Sequence, residues 1–186
     1  MKSLDMRFEE HVLKDMIGQS FKKYKCDAFD FTNSVTQIVG LYIGENIFSL
    51  SNRQNTIEYF GQEDDVAVYN LEKTDEEHIK SAFSDVEMID TPVDDVIHKI
   101  ILVNENQTIS LDGKIAFDIW LTRAIVFFVG DREVSFEKDT IPFSEEIIVR
   151  RGYNLVEKSV ENKFFLEGWP EGMTPSYKRD LISITE

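Results

Sequence analysis

Two stretches of this sequence carry the same hairpin signal, and they constrain the fold more than any other feature. In 117–136 two apolar runs flank Gly130-Asp131, and in 31–50 two apolar runs flank Gly44-Glu45. Glycine at the first position of a two-residue loop is typical of the type II′ turn that joins antiparallel strands. Each predicted hairpin therefore has one apolar face. The predicted pairs are Val39 with Leu50, Leu41 with Phe48, Ile125 with Phe136 and Phe127 with Val134.

The two stretches also align with each other without a gap. Four aligned pairs are identical, namely Phe31/Phe117, Thr36/Thr122, Gly44/Gly130 and Ser49/Ser135. A second block, 56–73 against 140–157, shares Thr-Ile and Tyr-Asn-Leu in the same order. The recurrence indicates an internal duplication, although two unrelated β-meanders with common turn chemistry would look similar. We predict an N-terminal helix at 1–25, β-rich repeat 1 at 26–105 and β-rich repeat 2 at 106–186, packed as one unit.

The N-terminal segment shows helical rather than strand spacing. Ser3 or Asp5 can cap a helix that runs to about Lys23, and its apolar residues fall on one stripe: Met6, Leu13, Ile17, Phe21 and Tyr24. Shorter helices are predicted at 74–83 and 160–166. The predicted fold class is α+β: a largely antiparallel, β-rich, pseudo-duplicated assembly with a long N-terminal helix and a short helix in each repeat.

The turn around Asp112-Gly113 has two alternative registers. A two-residue loop pairs Ser110 with Ile115, whereas a three-residue loop pairs Ile109 with Ile115. The apolar pattern favours the three-residue loop, because it places two apolar side chains opposite each other.

Negative charge is concentrated in one part of the chain. The net charge is −15, and residues 58–95 contain thirteen acidic residues against Lys73 and Lys80. Such a field repels nucleic acid and anionic membranes and attracts a basic protein; the alternative is a solvated face that keeps the protein in solution. We predict that the segment binds a partner through six acidic residues: Asp64, Asp65, Glu76, Glu77, Asp94 and Asp95.

No motif in the sequence indicates catalysis. The three histidines are scattered, and although Asp94, Asp95 and His98 could supply metal ligands, no second cluster completes a coordination shell. The single cysteine, Cys26, is interpreted as a structural thiol. No glycine pair has the spacing of a phosphate-binding loop. We therefore expect no catalytic residues, no metal and no cofactor.

Both tryptophans lie in repeat 2. In the repeat alignment Trp120 corresponds to Ser34 and Trp169 to Ser84. Large aromatic residues of this kind dominate the binding energy of many interfaces, so both are predicted to contact a partner. Core packing is the alternative, because buried aromatic residues mostly fill cores.

These observations predict a class of protein rather than a specific activity. One cysteine, no signal-peptide core and a longest apolar run of only 124–129 indicate a cytoplasmic protein that does not enter the membrane. We expect a non-enzymatic acidic protein that binds a basic protein partner. The most specific hypothesis within that class is an inhibitor or immunity-type protein. The alternatives are a small-ligand or metal-dependent enzyme with its site between the repeats, or a structural, oligomer-forming subunit.

Overall fold

The computed structural model describes residues 1–27, 34–159 and 161–185. This part of the chain is predominantly antiparallel β-sheet, and its helices are all short. The elements are β1 (Lys2–Met6), α1 (Glu10–Lys14), β2 (Ser20–Asp27), β3 (Ser34–Thr36), β4 (Ile38–Ile43), β5 (Asn46–Tyr59), β6 (Gln62–Thr74), a 3₁₀ helix (Glu76–His78), β7 (Met88–Leu111), β8 (Lys114–Val129), β9 (Arg132–Lys138), β10 (Glu146–Gly152), α2 (Leu155–Lys158), a 3₁₀ helix (Lys163–Leu166) and β11 (Met173–Ile184).

The predicted α+β class with a long N-terminal helix is wrong. The first 27 residues form β1, α1 and β2, and β2 hydrogen-bonds to β4 on one side and to β7 on the other. A β-bulge between Phe21 and Lys23 inserts one extra residue into β2. Inward-facing Phe21 and Tyr24 are therefore three residues apart, which imitates helical spacing. Gly18, with a φ of +78°, ends the helical turn before β2 begins.

Seven of the described strands form a ring. The ring closes where β3 continues along the chain into β4. The order of hydrogen-bonded strands is β4, β2, β7, β8, β9, β10 and β3. Only Gln37, with a φ of +64°, separates β3 from β4, so the last strand of this path continues into the first. The Gln37 backbone N–H donates to the Glu145 carbonyl at 3.1 Å, and the Gln37 carbonyl accepts from the Asn52 N–H at 2.8 Å. These contacts hold the closure in place.

The remaining strands extend from this ring. Strand β5 pairs with β4 and continues into a long hairpin with β6. Strand β7 pairs with β2 over residues 88–96 and with β8 over residues 97–111. Strand β11 runs along the second half of β7, and β1 pairs in parallel with β8. Because β7 is continuous through residues 105 and 106, the two predicted repeats share a strand; the domain boundary there stays a prediction.

The main core lies inside the ring. Phe21, Phe127 and Phe136 are fully buried, and their rings meet edge to face at centroid distances of 5.3 and 6.0 Å. Leu13 and Met16, from α1 and the turn after it, are also buried in this cluster. Each such side chain contributes about 1.5–3 kcal/mol through removal of apolar surface from water.

Both predicted hairpins are confirmed. The four predicted pairs all occur, and Gly44 and Gly130 have φ values of +56° and +55°. Of the eight side chains in these pairs, Phe48 is half-buried and the other seven are buried. The hairpins agree between the two halves, but β5 has fourteen residues and its counterpart β9 has seven. A common origin of the halves stays a prediction, and Phe31, used in the alignment, lies outside the described residues.

The helix predicted at 74–83 is only a single 3₁₀ turn. The Asp75 carboxylate caps it by accepting from the Glu77 N–H at 3.1 Å. Ile79 then packs over Gly40, where an added Cβ would lie 2.7 Å from the Ile79 side chain. The segment is therefore a loop that covers the outer face of β4, and its apolar residue serves packing rather than a helix face. The helix predicted at 160–166 is likewise only the 3₁₀ turn at 163–166, and Val160 lies outside the described residues.

Candidate functional site

An aromatic groove lies where the tip of the β5–β6 hairpin meets the segment between α2 and β11. Its volume is about 860 Å³, and its walls carry six aromatic side chains: Tyr59, Phe60, Phe117, Phe164, Phe165 and Trp169. Residues 59–64 come from predicted repeat 1, and the other lining residues come from predicted repeat 2. We call this surface the aromatic groove.

Phe60 lies at the centre of the aromatic contacts. Its ring centroid is 5.2 Å from that of Trp169, 5.3 Å from Phe165 and 5.8 Å from Phe117. The Trp169 indole Nε1–H donates to the Phe165 carbonyl at 2.5 Å, which fixes the orientation of the indole. Ring pairs of this kind contribute about 0.5–1.5 kcal/mol each beyond their buried area. The groove therefore has ordered rather than loosely packed walls.

The hairpin tip fits onto Phe117 because of its turn chemistry. Phe60 and Gly61 form a two-residue loop between Tyr59 and Gln62, with φ values of +50° and +92°. Positive φ at both central residues is the signature of a type I′ turn. An added Cβ at Gly61 would lie 2.9 Å from the Phe117 Cζ atom. Glycine is thus needed there both for the backbone conformation and for the close approach.

The entrance of the groove is apolar and carries negative charge. Phe164 is 76% exposed and Ile141 is 44% exposed. Asp64 and Glu167 also line the groove, and no lysine or arginine is found among its described lining residues. A ligand at the entrance therefore meets apolar surface and carboxylates.

A buried ionic network joins side chains of β7, β8 and β11. Glu105 is fully buried, and its Oε1 atom accepts from the Tyr177 hydroxyl at 2.7 Å and from Arg179 Nη2 at 3.3 Å. The Nε atom of Arg123 lies 3.6 Å from the same oxygen. Burial, together with Glu105, raises the pKa of Tyr177, so that the phenol remains a hydrogen-bond donor at neutral pH. The network cross-links β7, β8 and β11 through buried polar side chains.

Tyr59 and Lys138 are two further titratable residues close enough to Arg123 to feel its charge. The Tyr59 hydroxyl donates to Gln107 Oε1 at 2.8 Å, and burial raises the pKa of Tyr59. Lys138 is 7% exposed, and its Nζ donates to the Ala67 carbonyl. Burial and, next, the neighbouring Arg123 guanidinium lower the pKa of Lys138 to about 7. This amine therefore changes charge near neutral pH.

The structure brings two of the predicted partner-binding residues together. Asp64 and Trp169 both line the aromatic groove. Asp65 follows Asp64 on β6, is exposed, and accepts from the Thr56 hydroxyl at 2.7 Å. These residues come from opposite halves of the chain, so only the folded hairpin places them at one site.

Glu76 and Glu77 lie at the other end of β6. This strand has thirteen residues, and at roughly 3.3 Å per residue its two ends lie up to about 40 Å apart. Glu76 accepts from Lys25 Nζ at 2.5 Å and from the Tyr42 hydroxyl, whereas Glu77 is exposed. The acidic segment is thus divided between separate surfaces.

Asp94, Asp95 and Trp120 lie away from the groove. Asp95 packs beside the Gly130 turn, where an added Cβ would lie 2.0 Å from the Asp95 Oδ2 atom, and Asp94 is exposed. Trp120 is half-buried on β8, with the Arg7 guanidinium 4.6 Å and the Lys178 ammonium 5.8 Å from its ring centroid. Trp120 therefore packs against cations of its own chain.

Sequence reasoning missed the residue that organises the groove. That residue is Phe60, at the tip of the β5–β6 hairpin. The signal that could have located it is Phe60-Gly61 itself, a two-residue loop with glycine between two alternating strands. The burial of Arg123 and Lys138 has no local signal, because it depends on strands far apart in the chain.

No protein-family model matches this chain, and comparisons with curated proteins and with solved structures gave no match. Within residues 1–27, 34–159 and 161–185, no helix has the length and apolar character needed to cross a bilayer. In the same residues, no group of three or more His, Cys, Asp or Glu side chains could hold a metal ion. The function is therefore inferred from the geometry and charge of the aromatic groove.

Proposed function

We propose that this protein is a non-enzymatic binding protein whose aromatic groove takes up an apolar side chain of a basic protein partner. The observation that carries the proposal is the combination of six aromatic walls with carboxylates as the only charged lining groups in the described chain. Apolar walls favour an apolar anchor, and Asp64 and Glu167 favour lysine or arginine residues beside that anchor.

The size of the groove suits such an anchor. A volume of about 860 Å³ lies within the range of roughly 300–1,000 Å³ that is typical of ligand sites. It exceeds the space needed by one aromatic side chain, so flanking residues of the partner can also contact the walls. Exposed Phe164 and Ile141 extend the apolar surface beyond the entrance.

The charge of the protein supports a basic partner rather than an acidic one. The net charge of −15 produces a field that accelerates encounter with a cation and slows encounter with an anion. A lysine or arginine beside the anchor could also stack on Trp169 or Phe164, which adds about 0.5–1 kcal/mol at an exposed site. Binding should therefore weaken as salt is added.

An inhibitor or immunity-type protein fits this proposal, since such a protein needs an affinity surface and no chemistry of its own. We also place the protein in the cytoplasm, because the single cysteine, Cys26, is buried and unpaired, as expected in a reducing compartment.

A small-molecule site is a second candidate, and one observation favours it. The groove lies between the two predicted repeats, where the sequence alternative placed a small-ligand site. A neutral or cationic aromatic compound would meet the same walls. The two candidates can be told apart by their charges. A protein partner places lysine or arginine residues beside the apolar side chain in the groove, whereas a small aromatic compound does not.

A peptide-library selection tests the proposal. Random peptides displayed on phage would be selected on the folded protein, and the enriched sequences should share an aromatic or aliphatic residue flanked by lysine or arginine. Affinity would then be measured with the Trp120→Phe variant, in which Trp169 is the only tryptophan and reports directly on the groove.

Two matched charge reversals locate the binding surface. Asp64→Lys with Asp65→Lys, and Glu76→Lys with Glu77→Lys, change the net charge equally at opposite ends of β6. The first pair should weaken peptide binding by about tenfold or more, while the second should change it much less. Equal effects of both pairs would mean that net charge alone drives binding. Enrichment of acidic or uncharged peptides would refute the basic partner and leave the small-molecule site as the better candidate.

A further inference from the structure

A small cavity adjoins the aromatic groove and shares lining residues with it. Its volume is about 10 Å³, which is space for one particle of about the size of a water molecule. Arg123 on β8 and Lys138 on β9 line it, and Tyr59, Thr140 and Asn162 line both the cavity and the groove. Two cationic side chains thus line one small cavity.

Arg123 keeps a donor that its neighbours do not use. It is 3% exposed, and its Nη1 donates to the Asp139 carbonyl. Its Nε lies 3.6 Å from Glu105 Oε1, while Nη2 has no hydrogen-bond partner in the described part of the chain. Since a guanidinium does not lose its proton in proteins, a buried, charged donor is left unsatisfied.

Lys138 has no carboxylate within salt-bridge distance in the described part of the chain. Its Nζ donates to the Ala67 carbonyl, and no salt bridge of this lysine is found among the described residues. Asp139 also lines the cavity, but its carboxylate accepts from the Thr140 N–H at 2.5 Å and from the Thr140 hydroxyl at 3.2 Å. That carboxylate is therefore already engaged in its own turn.

Arg123 and Lys138 bring two positive charges to the cavity, and the carboxylates near them have other partners. The buried carboxylate of Glu105 is shared between Arg123 and Arg179. The two nearby phenols, Tyr59 and Tyr69, are neutral, because burial raises the pKa of each. The titratable groups that face Lys138 are Arg123 on β8, Glu105 on β7, Tyr59 on β5, Tyr69 on β6 and the adjacent Asp139.

We propose that this cavity is a binding site for one small monovalent anion of the halide class, held between the Arg123 guanidinium and the Lys138 ammonium. The site is independent of the function proposed for the groove. A spherical anion accepts hydrogen bonds from several directions, which suits two donors on different strands. A cavity of about 10 Å³ favours a single atom-sized particle over the larger carboxylate, sulfate and phosphate anions.

Anion binding should be coupled to proton binding. Without an anion, burial and Arg123 lower the pKa of Lys138 to about 7, so the amine is largely neutral above that pH. A bound halide favours the ammonium form and raises this pKa. By linkage, halide affinity should fall by up to about tenfold per pH unit above about pH 7.

Thermal unfolding in potassium chloride, bromide and gluconate at equal ionic strength tests the site. At about pH 6 the two halides should raise Tm by about 2–4 °C relative to gluconate, which is too large to enter. The shift should disappear in Lys138→Met and persist in Lys163→Met, a matched change at an exposed lysine that is paired with Glu161. A crystal grown in bromide should show an anomalous peak between Arg123 and Lys138.

Two results would overturn the proposal: equal Tm values in all three salts, or a halide shift that remains in Lys138→Met. If that variant does not fold, the bromide peak in the unaltered protein decides the question. Absence of density for bromide between the two cations would then reject the site.

Discussion

Replacement of Lys138 by methionine should change how stability depends on pH. Lys138 is 7% exposed, and its pKa in the folded protein is lowered from 10.5 to about 7. Between these values the unfolded chain binds one proton more than the folded protein, so stability rises with pH across this window. Below about pH 7 both states are protonated, and the full penalty for burying the ammonium is present.

The magnitude follows from the size of the shift. One pKa unit corresponds to 1.36 kcal/mol, so the buried ammonium lowers the free energy of unfolding by about 4–5 kcal/mol at acidic pH in the absence of an anion. Methionine has a similar length and no charge, but it leaves the Ala67 carbonyl without this donor, which costs about 1–3 kcal/mol. The variant should therefore be at least as stable as the unaltered protein at about pH 7.

Urea titrations at several pH values, in chloride-free buffer, measure this difference. From about pH 7 to about pH 9 the stability advantage of Lys138→Met should shrink by about 1.4 kcal/mol per pH unit. Bromide should make the change shallower if the cavity binds a halide. Parallel stability curves of variant and unaltered protein would refute a buried ammonium with a lowered pKa.

Two further predictions concern packing and the hairpin tip. Phe127→Ala should lower the free energy of unfolding by about 3–5 kcal/mol, because the ring is fully buried among other aromatic rings; a loss below about 1 kcal/mol in urea would contradict this core. Gly61→Ala should destabilise the protein by about 1–2 kcal/mol more than Gly113→Ala, since both glycines have positive φ but only Gly61 contacts Phe117. Equal losses would mean that the tip does not press on Phe117.

Local signals in the sequence predicted the parts of the fold that are themselves local. The Gly44 and Gly130 turns combine a conformation that glycine favours with alternating apolar residues on both sides, so turn type and register support each other. At Asp112-Gly113 the apolar pattern favoured the wrong register. The loop has two residues, with positive φ at both, and a bulge next to Ile109 shifts that residue opposite Phe117.

The remaining errors arise where long-range contacts override local spacing. The bulge in β2 gave strand residues Phe21 and Tyr24 a helical spacing. The acidic segment looked continuous in sequence, but β6 carries its two ends far apart. The groove forms only when Phe60 contacts Trp169, which lies more than one hundred residues later in the chain. The spacing of apolar residues in the sequence cannot predict such a contact. Asp64 and Trp169, both predicted to bind a partner, do line the same groove, and their role in binding stays a prediction.

Closure of the ring at Gln37 also determines the order in which the protein can be completed during synthesis. Ser34 pairs with Ile148 and Val35 with Ile147, so the last seam joins residues separated by more than one hundred positions. Until Glu146 and the residues after it leave the ribosome, β9 has one edge without its β10 partner. Such edges pair readily with other chains, and contacts of this sequence separation form slowly. A nascent chain halted before Glu146 should therefore depend on chaperones, whereas a chain that has passed Gly152 can close the ring by itself.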